Sequence, residues 1–501
     1  MRFTTLLVIF AISSTRAVAS PLPDASSITS SPVVRLPLLR RQHPHGSNRR
    51  KRDGSFSAQL YNDQGSEYLI QVAIGTPPQK FTVTLDTGSG DLWVPSSACP
   101  TSQCPYSRFD ESASSTFKNT QNAFNIVYGI GSVNGTYATD TVTIGGVSVQ
   151  NQQFGLGTST SDILTNPTVV GSSDSSSPSN NDNQGTPIAN GILGLGYPTL
   201  TASANKLGTT YNPFVFNLVE QNLIQQHLFS VYMNSASADG WAGEVIFGGI
   251  DSSKYTGNIT YIPVAQISTS SIPLKKRAGN NNNYYYWMVH GQGIQVSSND
   301  NHSSAQISLS GDSAAFVIDT GTTLTYFPND MADNIASALV GRGNYALDSS
   351  SQTYIVECKK AAQQGTTLEI QMSDSSSASN NPLTITVPVS QLVIPLDSNS
   401  IDTAMSCMLG IAPLGTSHQS SSSSSSNMIL IGDSVLRTAY LVFDIGNNQI
   451  GFATANNVGG TVNGVGTTSA AAPSSSSSSP LLSLTTVLIA TTLIGYAAAW
   501  L

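Results

Sequence analysis

Val83 to Ser97 reads VTLDTGSGDLWVPSS: a short β-branched apolar run, Asp86 in a tight polar turn, then a return to apolar residues. Asp and Gly are ordinary turn residues, since Asp hydrogen-bonds nearby backbone and Gly accepts positive φ. One such copy would say little. The pattern recurs 233 residues further on as FVIDTGTTLTYFP, Phe316 to Pro328, with Asp319 in the place of Asp86. Each copy is followed by an apolar-apolar-Gly run, GILGLGY at Gly191 to Tyr197 and MILIGDSV at Met428 to Val435. A duplicated lobe accounts for this shared order, and it predicts two carboxylates that work together.

The chemistry of such a pair follows from electrostatics. Two carboxyl groups within hydrogen-bonding distance cannot both ionise cheaply, so one keeps a proton while the other is charged. The charged member can take a proton from a water between them, and the protonated member can donate to a carbonyl oxygen. Such a pair can add water to a polarised carbonyl with neither a covalent enzyme intermediate nor a metal. A glycosidase also uses paired carboxylates, but it does not require two Asp-Thr-Gly turns in matched settings.

The 501 residues, 39% of them hydrophobic, suffice for about two domains. Only 10% are charged, and Ser, Thr, Asn and Gly are plentiful, as in turn-rich secreted β-proteins. Charge is unevenly divided. Residues 1–52 hold nine of the 21 Lys and Arg and one of the 29 Asp and Glu, which leaves 12 basic against 28 acidic residues in the rest. An acidic body of this kind excludes nucleic acid as the expected partner and suits work at low pH.

Both ends carry processing patterns. MRFTTLLVIFAISSTRAVAS has a basic start, an apolar run and small residues, the pattern of a signal peptide over residues 1–19. A propeptide over 20–52 would end at RRKR, Arg49 to Arg52, where a proprotein-processing protease is expected to cut after Arg52. At the far end, LLSLTTVLIATTLIGYAAAWL, residues 481–501, is long enough to span a bilayer. No Lys or Arg follows it, and a small, polar stretch within 456–480 precedes it. That arrangement is the signal for a GPI lipid anchor with removal of the tail; Ser469 is the expected attachment residue, with Asn463 and Gly466 as alternatives. The protein is therefore expected at the plasma membrane or cell wall, as a monomer.

Cys99 with Cys104, and Cys358 with Cys407, form two sequence-local groups. An even number in a secreted chain predicts two disulfides; three pairings are open in principle, and local pairing is favoured. The six histidines are scattered and no Cys-x-x-Cys occurs, so no metal and no cofactor is expected. Strand-like runs dominate the body, with short helical candidates in PFVFNLVEQNLI and MADNIASALVG. Four Ser/Asn-rich stretches, Ser172–Gly185, Ser268–Asn283, Ser373–Asn381 and Ser417–Asn427, read as surface insertions too polar to be ordered by burial. The second contains Lys275 to Arg277, a solvated charged loop or a second processing site.

Over roughly Glu67 to Ala455 these residues resemble the pepsin-like aspartic proteases, and the ends resemble the fungal GPI-anchored yapsin and candidapepsin-type enzymes. The resemblance implies a mostly β, bilobal fold, with lobes over 53–245 and 246–455 and a cleft between them. It implies an aspartic endopeptidase acting on protein or peptide substrates, with Asp86 and Asp319 catalytic. By the same resemblance Thr87 and Thr320 tie the two loops together, Gly88 and Gly321 let backbone N–H groups approach the carboxylates, and Ser89 and Thr322 bond their outer oxygens. VYGIGSVNGTY, Val127 to Tyr137, resembles the substrate-covering flap, with Tyr128, Gly129, Gly131 and Ser132 facing the peptide and Trp93 packing on Tyr128. Val33 to Gln42 resembles the first strand of family propeptides, a basic segment expected to hold the acidic body until acid neutralises it. Sequons mark Asn134, Asn258 and Asn301 for glycosylation, the first of them inside the flap. A catalytically silent wall or binding protein with the same fold is the alternative.

Overall fold

The computed structural model describes residues 34–40, 68–129, 131–164, 189–236, 241–266, 284–298, 304–307, 309, 314–398, 400–414 and 428–464. The expectations for Arg52, Lys275 to Arg277, Asn301, Ser469 and the 481–501 tail fall outside these residues.

The duplication read from the sequence is a duplication of topology. Gln79–Asp86 runs parallel beside Ile192–Gly194, and the strand after its turn, Leu92–Pro95, lies antiparallel on the other side. Ala314–Ile318 likewise runs parallel beside Met428–Ile431, with Thr325–Phe327 antiparallel to it. Strands sandwiched in this way have no wet face, which is why they read as unbroken apolar runs rather than alternating ones. Phe316, Val317 and Ile318 are all fully buried.

The described residues are mostly β, in sheets of thirteen, nine and four strands. The largest sheet mixes the two halves of the chain. Tyr255–Pro263, Gln449–Ala455 and Ala439–Asp444 join Leu228–Met233 and Trp241–Phe247, and beyond these come Val34–Arg40, Tyr68–Ile74 and the strand ending in Asp86. A boundary at 245/246 thus lies inside the strand Trp241–Phe247, whose sheet bridges the lobes. Val34–Arg40 pairs antiparallel with Trp241–Phe247 on one side and reaches Tyr68 and Leu69 on the other.

Helices are short and serve the core. The longest among the described residues, Asn329–Val340, follows Pro328 and buries Met331, Ala332, Ile335, Ala336, Leu339 and Val340 on one face. Burying Ile335 or Leu339 contributes about 2 kcal/mol each. The chain leaves the helix at Gly341, whose φ of 84° suits glycine. The other helical candidate forms Phe214–Glu220.

The cysteines pair locally, Cys99 with Cys104 and Cys358 with Cys407. One polar insertion lies among the described residues and is largely exposed. Ser373–Asn381 joins the strands Thr366–Ser373 and Leu383–Pro388, and it is ordered by hydrogen bonds rather than by burial. The Gln292 side chain donates to Ser379 O (2.7 Å) and accepts from Ser379 N (2.8 Å), while Ser373 Oγ donates to Ser377 O (2.8 Å). Composition registers apolar burial but not a single well-placed amide clamp.

Candidate active site

Each Asp ends or directly follows its strand, where the neighbouring parallel strand fixes the backbone: Leu195 N donates to Asp86 O (2.7 Å), and Asp319 N donates to Ile431 O (3.0 Å). The turn that follows supplies two donors to each carboxylate. Gly88 N donates to Asp86 Oδ1 (2.7 Å) and Ser89 Oγ to Asp86 Oδ2 (2.5 Å). Gly321 N donates to Asp319 Oδ1 (2.9 Å) and Thr322 Oγ1 to Asp319 Oδ2 (2.7 Å).

The two turns are locked by their threonines. Thr87 Oγ1 donates to Ile318 O (2.7 Å) and accepts from Thr320 N (3.0 Å). Thr320 Oγ1 donates to Leu85 O (3.1 Å) and accepts from Thr87 N (3.3 Å). Both side chains are buried, so each hydroxyl satisfies backbone groups of the opposite half that water does not reach. This reciprocal pairing brings the carboxyls face to face, close enough for a protonated one to hydrogen-bond the other and for the charge of one to shift the ionisation of its neighbour. The glycines permit the approach. A Cβ built on Gly88 would lie 2.5 Å from Asp319 Cγ, and one on Gly321 would lie 2.4 Å from Asp86 Oδ1.

Both carboxyls are 7% exposed. Burial raises the Asp86 pKa well above the ordinary carboxylate range, the Asp319 charge raises it further, and the Ser89 hydroxyl and Gly88 N–H oppose this. Burial also raises Asp319, against the Thr322 hydroxyl, the Gly321 N–H and the hydrogen bond to Asp86, all of which favour its charged form. The pair therefore shares one proton and titrates as a unit. The arrangement can accept a proton from a water and donate one to an oxygen at the same time.

These raised values set the sign of a stability effect. A carboxyl with a folded pKa above its unfolded value of about 3.9 contributes stability that is fully present below about pH 4, and this is lost as pH rises through the folded value. We expect the melting temperature to fall from pH 4 toward neutrality, each retained proton costing about 1.4 kcal/mol per pH unit. Asp86→Asn, a neutral stand-in for the protonated acid, should flatten that slope. Thermal melts of both proteins from pH 4 to 7 test this, and a melting temperature that climbs toward neutrality would refute it.

The flap segment is a hairpin of Lys118–Val127 and Ser132–Ile144, closed by Tyr128 N donating to Gly131 O (2.7 Å). Gly129 lies in its turn, and Ser132 begins the return strand. Gly131 has no room for a side chain, since a Cβ would lie 2.2 Å from Ser161 O. Trp93 Nε1 donates to Tyr128 OH (3.1 Å), and both rings belong to one cluster with Phe124, Val133, Tyr137 and Tyr211. Tyr128 is thus placed between Trp93 and the Asp86–Ser89 side of the dyad, while Gly129, Gly131 and Ser132 lie at the tip and return strand of the hairpin. Asn134 is exposed on the return strand, where its side-chain oxygen accepts from Asn125 Nδ2, and Asn258 is exposed at an irregularity in its strand.

Several residues around the site carried no role in the sequence reading. Tyr286 is raised in pKa, first by burial and then by its neighbour Tyr285, with smaller contributions from the charges of Asp319 and Asp86, so its phenol stays neutral beside the dyad. Trp287 is fully buried and donates from Nε1 to Leu195 O (2.9 Å), backing the Asp86 loop from the second half of the chain. Asp91 is 1% exposed although it follows a turn and precedes Leu92 and Trp93. An acid directly before a buried Leu-Trp pair was the available signal. Among the described residues no group of three or more His, Cys, Asp or Glu is placed to hold a metal ion.

Comparison with known proteins agrees with this geometry. Residues 67–455 match the family model described as eukaryotic aspartyl protease. The chain is 32% identical to mucorpepsin of Rhizomucor pusillus over 89% of its own length and 94% of that protein. It is 36% identical to mucorpepsin of Rhizomucor miehei, covering 80% and 81% of the two chains, and 33% identical to pepsin A of Bos taurus, covering 79% and 86%.

Proposed function

The chain belongs to the eukaryotic aspartyl protease family of pepsin-like aspartic endopeptidases, and from that premise we propose that it is a secreted, cell-surface-anchored enzyme that hydrolyses peptide bonds in acid with Asp86 and Asp319. The observation that carries the reading is that the reciprocal Thr87–Thr320 hydrogen bonds hold these two buried carboxyls face to face, each against the glycine of the opposite turn. The charged member removes a proton from the attacking water while the protonated one donates to the scissile carbonyl oxygen; aspartic proteases are the standard illustration of two acids sharing one proton. Thr87 and Thr320 hold the spacing, Ser89 and Thr322 orient the outer oxygens, and Tyr128 with Trp93 forms the roof.

The ends of the chain complete the proposal. A signal peptide over 1–19, release after Arg52, and exchange of the 481–501 tail for a GPI lipid near Ser469 would deliver the body to the membrane or wall. The basic segment that includes Val34–Arg40 would restrain the acidic body until acid loosens it. A yapsin-like preference for basic residues in the substrate accords with that acidic body.

The test uses the protein beginning at Asp53 with denatured protein substrates at pH 3 to 7. We expect cleavage that is strongest in acid and stops with a pepstatin-type inhibitor. Absence of cleavage across that range, with the fold intact, would favour the catalytically silent alternative.

A further inference from the structure

A third carboxyl, Asp91, lies five residues beyond Asp86, and the hydrolytic reaction as described does not use it. Its surroundings are specific. Asp91 Oδ1 accepts from Tyr137 OH (2.7 Å) and Tyr211 OH (2.7 Å), and Oδ2 accepts from Ala202 N (2.8 Å). Tyr137 OH in turn accepts from Ser203 N (2.8 Å). The backbone of the same residue is engaged, with Gly194 N donating to Asp91 O (3.0 Å). The tyrosine rings meet edge to face, Tyr137 with Tyr211 at 5.7 Å and Phe124 with Tyr137 at 5.1 Å.

The partners come from separate parts of the substrate-facing wall. Tyr137 lies on Ser132–Ile144, the strand that returns from the flap. Ala202 and Ser203 open the short helix Ala202–Leu207, whose Lys206 donates to Asn125 on the other flap strand. Tyr211 packs in the same cluster as Tyr128 and Trp93. Asp91 itself directly precedes the strand Leu92–Pro95, which carries Trp93, the donor to Tyr128. One buried carboxyl thus connects the Asp86 loop, the flap hairpin, the helix at the rim and the aromatic seat of the flap tyrosine.

A carboxyl is specifically required here. Every donor aimed at Asp91 is an N–H or O–H, so both oxygens must accept. An asparagine at 91 would offer one oxygen. With that oxygen toward Ala202 N, its amide would face two phenols whose hydrogens have lost their acceptor, and the Tyr137 oxygen already accepts from Ser203 N. A buried donor without an acceptor carries its full desolvation cost. A merely space-filling position would not need three donors converging on its side chain.

We propose that Asp91, through Tyr137 and Tyr211, is the positioning residue that fixes the hinge of the flap and the adjoining helix relative to Asp86, and that it sets how tightly peptide substrate is clasped rather than how fast the dyad reacts. The inference rests on the reading of the cleft as a peptide-hydrolysing site.

Asp91→Asn, Tyr137→Phe and Tyr211→Phe are compared with the unaltered mature protein, each normalised by titrating active sites with a tight pepstatin-type inhibitor. We expect KM to rise about tenfold in Asp91→Asn and about threefold in each Phe variant, with kcat per titrated site falling less than KM rises. A role confined to stability would lower the number of titratable sites and the melting temperature while leaving KM per site where it was, and that result in all the folded variants would overturn the proposal. Should Asp91→Asn fail to fold, the two Phe variants, which keep their rings, decide the matter by the same criterion. An unaltered protein that cleaves no peptide would refute the hydrolytic reading itself, a failure distinguishable from a normal KM in the variants.

Discussion

Asp86→Asn and Asp319→Asn each reduce kcat for peptide hydrolysis by at least about 10⁴-fold. An asparagine at either place can neither collect the proton of the water nor share one with its neighbour, and the remaining acid has no partner whose charge raises its pKa. Each carboxyl receives a backbone N–H and a hydroxyl from its own turn, so an amide oxygen can keep the N–H while its nitrogen donates to the hydroxyl of Ser89 or Thr322, turned to accept. The buried acids are also costly to ionise, so the variants should melt no lower than the unaltered protein at neutral pH. Because the two act as one unit, the double variant should be no worse than either single one. Turnover of a peptide by titrated, purified protein checks this, and retention of a tenth of the normal rate in either variant would dismiss the paired-acid mechanism.

Gly88→Ala and Gly321→Ala should each lower the rate by about 10²-fold, though no chemical group is removed. The added methyl carbon would lie 2.5 Å from Asp319 Cγ in the first case and 2.4 Å from Asp86 Oδ1 in the second, far inside contact distance. Neither glycine belongs to the positive-φ set, so alanine is acceptable to the backbone and the collision falls on the carboxyl pair. Relief requires the opposite Asp to retreat by about an ångström, and a displacement of that size costs about 10²-fold in rate. Separation also weakens the interaction that divides the two ionisations, so the pH–rate profile should narrow. Comparing kcat/KM between pH 3 and 7 for both variants gives the test; activity within a few-fold of normal would mean that the two turns are not in contact in solution.

The parts of this molecule that were readable in advance are those whose chemistry is local. Asp-Thr-Gly followed by a hydroxyl residue fixes a turn that bonds its own carboxyl, and its repetition exposed both the pairing and the duplicated topology. The flap was legible through the resemblance its Tyr128 and glycines carry, and the disulfides from an even number of cysteines falling in two groups along the chain. What escaped depends on partners remote in sequence. Asp91 meets Tyr211 across 120 residues and Trp287 meets Leu195 across 92, with no pattern in either segment to announce the other. The Gln292 clamp on Ser379 spans 87 residues, so a polar stretch whose composition suggests insufficient burial acquires its order from elsewhere. The sheet that joins the lobes belongs to the same class, because strand order is a property of the assembled chain.

That joining sheet bears on when the enzyme comes into being during synthesis. Asp319 takes its backbone support from Ile431, and Ala439–Asp444 must lie against Leu228–Met233 before the floor is whole. A ribosome has therefore threaded almost the entire body out of its tunnel before any hydrolytic centre exists, and contacts of such sequence separation form slowly. A nascent chain is consequently harmless to itself and to its neighbours in translation, independent of whatever restrains the finished molecule later.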